Sequence, residues 1–264
     1  MPFEPSQPGP LEIAVAALLG AVIGSFLNVC ILRWGAEPKE SIVRPASHCP
    51  RCGRELAWYE NIPVLSWLLL RARCRGCGKP ISIIYPLIEL ATAGIWAYMA
   101  FRHGLTLEAL RGAVFGTILL GIAMTDARQY IIPDEFSWGG LVIGLLFSLA
   151  GGLPGLGTAL FGAAFGFGLL WLVGTVGTWV FKEDAMGGGD IKMMAMVGSF
   201  VAWPGVLLTI FLGALAGSLI FVPLLLAGKK KLVPFGIFLA IGAAITYEAG
   251  PAIIAWYGRY LAGA

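Results

Sequence analysis

Forty-six consecutive residues, Phe136–Phe181, contain no Asp, Glu, Lys or Arg. A soluble domain, about one quarter of whose residues are charged, has no place for such a stretch. Two further runs behave alike: Ile13–Leu32, 20 residues, and Met193–Gly228, 36 residues, are also free of charge. A helix needs ~20 apolar residues to cross a ~30 Å hydrocarbon core. The first run is therefore one span, and the two longer runs each hold two. Their breaks fall at Gly151-Gly152-Leu153-Pro154-Gly155 and at Trp203-Pro204-Gly205. None shows the in–out alternation of a membrane barrel strand. The whole chain agrees: of 264 residues 58% are hydrophobic and 12% charged, with a mean hydropathy of +0.83. Soluble enzymes, disordered chains and disulfide-stapled secreted domains are excluded, and 37 glycines without a Gly-X-Y period exclude collagen. The expected fold is an all-α polytopic membrane protein.

Charge placement orients it. Nine of the 18 Lys and Arg residues lie between Arg33 and Lys79, and Lys229-Lys230-Lys231 forms a second cluster. Met1–Glu12 has Glu4 and Glu12 but no basic residue. The positive-inside rule then puts the N-terminus outside and the 33–80 loop in the cytoplasm. A cleavable signal peptide needs a basic n-region, so the first span is expected to be retained. Spans are expected at about 11–32, 83–101, 107–125, 137–151, 156–181, 192–203, 205–227 and 233–258. Eight spans keep the triple lysine inside, whereas seven would export it. The 192–203 span is short: even from Asp190 its 14 residues reach only ~21 Å at ~1.5 Å each.

The cytoplasmic loop carries Cys49-Pro-Arg-Cys52-Gly53, then 20 residues, then Cys74-Arg-Gly-Cys77-Gly78. Two such pairs offer four thiolates, and the glycine after each permits the tight turn of a metal knuckle. Zinc is expected first and iron second, since thiolate softness and tetrahedral geometry suit both. Two disulfides are the alternative, disfavoured in a reducing cytoplasm. His48 is a possible substitute ligand, and Cys30, inside the first span, is expected to be a packed apolar residue. The apolar segment Asn61–Leu70 is too short to span and is expected to pack on the bilayer interface or on the metal loop. Topology already accounts for the basic excess, so no nucleic acid is expected.

Ionisable groups in or beside spans are costly and usually functional. Glu89, Asp126, Asp190 and Glu248 qualify. By the topology above, Asp126 and Asp190 share the cytoplasmic side and a similar depth. Gly187-Gly188-Gly189 lets a substrate backbone approach the second of them. Two carboxylates sharing a proton can activate water against an amide. The alternative is a pair of surface charges at helix ends. Asp134, Glu135, Glu183 and Asp184 are expected to be solvated loop charges. A transporter relaying protons or cations through the four carboxylates is a competing reading, although no paired half-repeats are evident.

The ordered set of Gly24-Ser-Phe-Leu-Asn-Val29, Cys49–Cys77 with Asn61-Ile-Pro-Val-Leu-Ser-Trp67, Tyr85-Pro-Leu-Ile-Glu89, Asp126…Ile132-Pro133-Asp134 and Gly187-Gly-Gly-Asp190-Ile-Lys192 resembles the bacterial type IV prepilin peptidases. These are inner-membrane aspartyl proteases that also act as N-methyltransferases. The resemblance covers roughly residues 20–205. It implies that Asp126 and Asp190 are the catalytic pair. It implies prepilin and pseudopilin precursors as substrates, cleaved at the cytoplasmic face, and S-adenosylmethionine as donor of a methyl group to the new N-terminus, typically Phe. On this reading 1–32 is the periplasmic N-terminus and first span, 33–82 a cytoplasmic zinc loop (Cys49, Cys52, Cys74, Cys77) linked to methylation, and 83–264 the bundle with the protease site. Glu89 is a candidate for cofactor binding. No Gly-rich nucleotide loop follows a strand, so the donor's other contacts cannot be read.

Overall fold

The computed structural model describes residues 8–36, 39–226 and 234–262. Glu4 and Lys229–Lys231, whose charges enter the topology argument, lie outside the described residues. Among the described residues eight α-helices follow in order: α1 (Pro10–Trp34), α2 (Leu65–Leu69), α3 (Ile84–His103), α4 (Leu107–Gln129), α5 (Asp134–Ser148), α6 (Gly152–Phe181), α7 (Gly188–Leu226) and α8 (Phe235–Leu261). The described residues contain no strand, only isolated bridges pairing His48 with Glu55 and Arg73 with Pro80. Six stretches are long and apolar enough to cross a membrane. Two of these are broken. Asp134–Phe181 turns at Gly152, whose φ of 67° suits a residue without Cβ. In α7 the helix is interrupted at Ala202, φ 58° and ψ 177°. Pro204 lies just beyond, where a missing N–H already weakens the ladder. The resulting segments agree with about eight spans, and the chain is a multi-pass, all-α membrane protein. The α5–α6 break comes slightly earlier than expected, with α6 starting at Gly152 rather than 156.

The chain divides into two compact units, Met1–Thr117 and Ile118–Ala264. In the first, α1 and α3 pack at backbone distance. A Cβ on Gly20 would stand 2.8 Å from the Thr92 carbonyl oxygen, and one on Gly24 would stand 2.8 Å from Glu89 Cα. Small residues four apart give this close crossing, the usual device where lipid supplies no hydrophobic drive. Thr92, fully buried, returns its hydroxyl to the Ile88 carbonyl. The cysteine loop between these helices belongs to the same unit.

In the second unit the first half of α7 is the core. Met193, Met194, Met196 and Val197 have no exposed surface. On one side Gly162 and Gly166 of α6 admit the α7 backbone at Gly198 and Met194; on another Gly140 of α5 admits Met196. Protein rather than lipid surrounds this half-helix, so it need not match the bilayer thickness that a lipid-facing span must match.

Candidate functional site

Asp126, on the last turn of α4, is 5% exposed. Its Oδ2 accepts the Ile237 backbone N–H at 3.2 Å, in the first turn of α8, where negative charge is favoured. The α8 backbone comes this near because residue 236 is glycine: a Cβ there would lie 2.7 Å from Asp126 Oδ2 and 2.8 Å from Ile132 Cδ1. Asp190 sits in the first turn of α7, its N–H donating to the Gly187 carbonyl at 3.2 Å. Its Oδ1 is buried with no hydrogen-bond partner among the described residues. Gly189, next to it, faces Ile132, at 2.9 Å from where its Cβ would be. One isoleucine thus touches the glycine beside Asp190 and the glycine against Asp126. The two carboxyls are near enough for the charge of Asp126 to act on Asp190.

Asp134 corrects an expectation. Half exposed, it lies not in a loop but in the first turn of α5, as does Glu135, and it accepts from Lys192 Nζ at 2.7 Å. This pair joins the first turn of α5 to that of α7. Glu183 and Asp184 are exposed in the α6–α7 connection, as expected. Gly236, Ile237 and Ile132 were not singled out from the sequence. The signal available was a glycine opening a helix after a proline, too common to choose by itself.

The four loop cysteines converge. Cys49, Cys52, Cys74 and Cys77 offer sulfurs all within 4.8 Å of one another, with Cys49 and Cys77 at 4.0 Å. Tetrahedral bonds of ~2.3 Å would set sulfurs ~3.8 Å apart, so the set fits a four-thiolate metal. The two knuckles are built alike. Cys49 N–H bonds the Arg54 carbonyl and Gly53 N–H the Cys49 carbonyl; Cys74 N–H bonds the Lys79 carbonyl and Gly78 N–H the Cys74 carbonyl. Gly53 (φ 71°) and Gly78 (φ 67°) close each turn. The N–H groups of Cys77 and Gly76 bring the Cys74 thiol down to about 6, towards the thiolate a metal needs. His48 points its Nδ1 to the Ala46 carbonyl and is not in the cluster. Cys30 is buried in α1.

Between the knuckles, Arg54 grips Glu60 with contacts of 2.6 and 2.8 Å, and Ala57 N–H adds a third at 2.9 Å. The Ala57 N–H first, then Arg54, holds the Glu60 carboxyl below its ordinary range. The α2 helix leaves Leu65, Leu68 and Leu69 exposed while Trp67 Nε1 donates to the Ile81 carbonyl. Part of the segment therefore packs on the loop, and its leucines stay free for the interface. Glu89, 8% exposed on α3, accepts the Val64 N–H at 2.7 Å and so ties this segment to α3.

Residues 18–103 match the bacterial peptidase A24 N-terminal domain, and residues 113–222 match the type IV leader peptidase family. A protein of Aeromonas hydrophila named prepilin leader peptidase/N-methyltransferase is 34% identical, over 94% of both chains. One of Pseudomonas aeruginosa with the same name is 37% identical over 92% of both. This chain belongs to the type IV leader peptidase family. A Myxococcus xanthus relative of that name is 42% identical over 84% of this chain, which spans 66% of that protein's length. No solved structure matches.

Proposed function

We propose that this protein removes the leader peptide from type IV prepilins and then methylates the new N-terminus, with Asp126 and Asp190 as the proteolytic pair. Pseudopilin precursors of type II secretion are proposed as further substrates. The reading places the reaction at the cytoplasmic face of the bacterial inner membrane. The observation that carries it is that Ile132 touches both the glycine beside Asp190 and the glycine against Asp126, with the Asp126 charge near enough to act on Asp190. In a shared-proton pair, one carboxylate takes a proton from water while the other carboxyl gives its proton to the scissile amide. The water oxygen bonds the carbonyl carbon, the C–N bond breaks, and the amine leaves as the new N-terminus. Gly188, where a Cβ would meet open space, leaves room for an extended peptide beside Asp190.

S-adenosylmethionine, when bound, supplies a methyl carbon on a positively charged sulfur. The new N-terminal ammonium would lose one proton to water, leaving its lone pair free to take that methyl. Zinc held by the four cysteines is proposed as the structural metal of the loop, because the donors are all thiolates at tetrahedral spacing. The curated relatives give no support to the transporter reading.

The test is purified protein in lipid vesicles with a prepilin. Leader removal is read by gel shift and methyl transfer by labelled S-adenosylmethionine. Asp126→Asn and Asp190→Asn should each lose at least ~10²-fold in cleavage, the low end of what an acid–base group supplies. Wild-type cleavage in either variant would overturn the assignment.

A further inference from the structure

The two carboxyls of the proteolytic pair are held in different ways. Asp126 has a partner, the Ile237 N–H that its Oδ2 accepts. Asp190 Oδ1 has none among the described residues, and its Oδ2 lies over Gly187, 3.1 Å from where a Cβ would stand. The place of Asp190 therefore depends on how the first turn of α7 is held. Gly189 and Lys192, three residues apart, share a face of that helix. Ile132 packs on the first, 2.9 Å from where its Cβ would be, and Asp134 accepts from Nζ of the second at 2.7 Å. Both contacts come from one short connection, where α4 passes into α5, and they flank Asp190 in sequence.

That connection has little freedom. It begins on Asp126 itself, whose carbonyl accepts the Tyr130 N–H at 3.0 Å. Tyr130 then turns the chain at a φ of 57°. Pro133 fixes its own φ at −60°, and its carbonyl accepts the Phe136 and Ser137 N–H groups at 3.1 and 3.3 Å, which ties the connection to α5. Residues 130–134 thus run from the backbone of one acid to both sides of the other. The Asp134 and Lys192 side chains are 49% and 34% exposed, and an ion pair so open to solvent adds little stability. It can still fix a position. Resting on the proteolytic reading above, we propose that Asp134 and Lys192 are positioning residues for cleavage: with Ile132, their ion pair sets the place of Asp190 relative to Asp126. They act through Asp190 and not on the substrate.

The experiment is steady-state cleavage of a prepilin by the purified full-length protein in vesicles, with thermal unfolding measured on the same preparations. Lys192→Met removes the cation and keeps an unbranched side chain; Asp134→Asn removes the anion and keeps its shape. A misplacement of ~1 Å costs ~10²-fold in rate, so a drift of about half that should lower kcat about tenfold in each variant. KM should stay near wild type, because the loss lies in the transition state alone. Residues that act as one unit are not additive, so the double variant should lose about tenfold and not about a hundredfold. Lys192→Arg restores the cation and should recover most of kcat. Wild-type kcat in a folded Lys192→Met protein would overturn the proposal, and Asp134→Asn carries the same test if that variant does not fold. A hundredfold loss in the double variant would mean two unrelated effects and overturn the pair. A raised KM with kcat unchanged would make these residues substrate contacts and overturn their positioning role. If the wild type cleaves no prepilin, or Asp190→Asn cleaves like the wild type, the proteolytic reading itself fails, and the positioning role with it.

Discussion

Gly236→Ala separates a held carboxyl from a merely nearby one. The new Cβ would stand 2.7 Å from Asp126 Oδ2, 3.2 Å from Asp126 Cγ and 2.8 Å from Ile132 Cδ1. Ordinary contact begins at 3.4 Å, so the carboxyl must retreat by 3.4 minus 2.7, about 0.7 Å. Retreat is constrained, because Ile132 already blocks one side and the Ile237 N–H holds Oδ2 at 3.2 Å. A misplacement of ~1 Å costs ~10²-fold in rate, so ~0.7 Å should cost roughly 25-fold. The assay is initial leader removal from a prepilin in vesicles, with methyl transfer to an already mature pilin as the control for folding. Gly217→Ala is the matched control: its Cβ would meet Phe238 at 3.7 Å, an ordinary contact, and cleavage should stay near wild type. A folded Gly236→Ala enzyme that cleaves within about threefold of wild type would refute the reasoning. Equal loss of both activities would mean that the substitution damages the fold instead.

Three other outcomes follow from the same structure. Changing any of Cys49, Cys52, Cys74 or Cys77 to Ser should lower zinc content and methylation together while cleavage persists, since binding energy in such loops is largely folding energy; metal analysis and both assays on one preparation check it. Glu60, its carboxyl held below the ordinary 4.5 by Ala57 N–H and Arg54, lends stability that is fully present above that pH and is lost as the pH falls through its depressed native value. Thermal unfolding midpoints should therefore fall more steeply on acidification below about pH 4.5 in the wild type than in Glu60→Gln, and parallel curves would refute the pair's contribution. A cysteine probe at Gly155 should be labelled by impermeant reagents in intact cells and one at Lys230 protected, because three lysines resist translocation; labelling at Lys230 would overturn the proposed sidedness.

The sequence made the helices legible because charge-free runs and their Gly/Pro breaks are enforced by the bilayer itself. The cysteine cluster was legible for a similar reason, since two pairs followed by glycine serve few purposes besides ligation. Asp190 announced itself through its glycines. Its neighbours did not. The N–H that Asp126 accepts comes from Ile237, 111 residues away, and no local pattern links the two. The ion pair of Asp134 with Lys192 spans 58 residues and was equally hidden. Nor did composition indicate that the first half of α7 is the core. Met193–Val197 is no more apolar than the lipid-facing helices, because lipid tails are as apolar as Leu.

What distinguishes a protein-facing side from a lipid-facing one here is residue size. Gly140 and Gly144 on α5, Gly162 and Gly166 on α6, and Gly213 on α7 with Gly242 on α8 all lie where a Cβ would press on a neighbouring helix. Gly139, Gly157 and Gly168, on other faces of the same helices, meet open space. Glycine pairs four apart mark seams at 140/144 and 162/166, and the isolated Gly116, Gly198 and Gly236 stand as close to a neighbour. The same spacing recurs at Gly20 and Gly24, where α1 meets α3. In a chain whose hydrophobicity carries no direction, the placement of its smallest residue does. It brings α6 onto the start of α7, and the single glycine at 236 lets the α8 backbone reach Asp126. The close approach that glycine allows thus closes the seams and also brings the α8 backbone to Asp126.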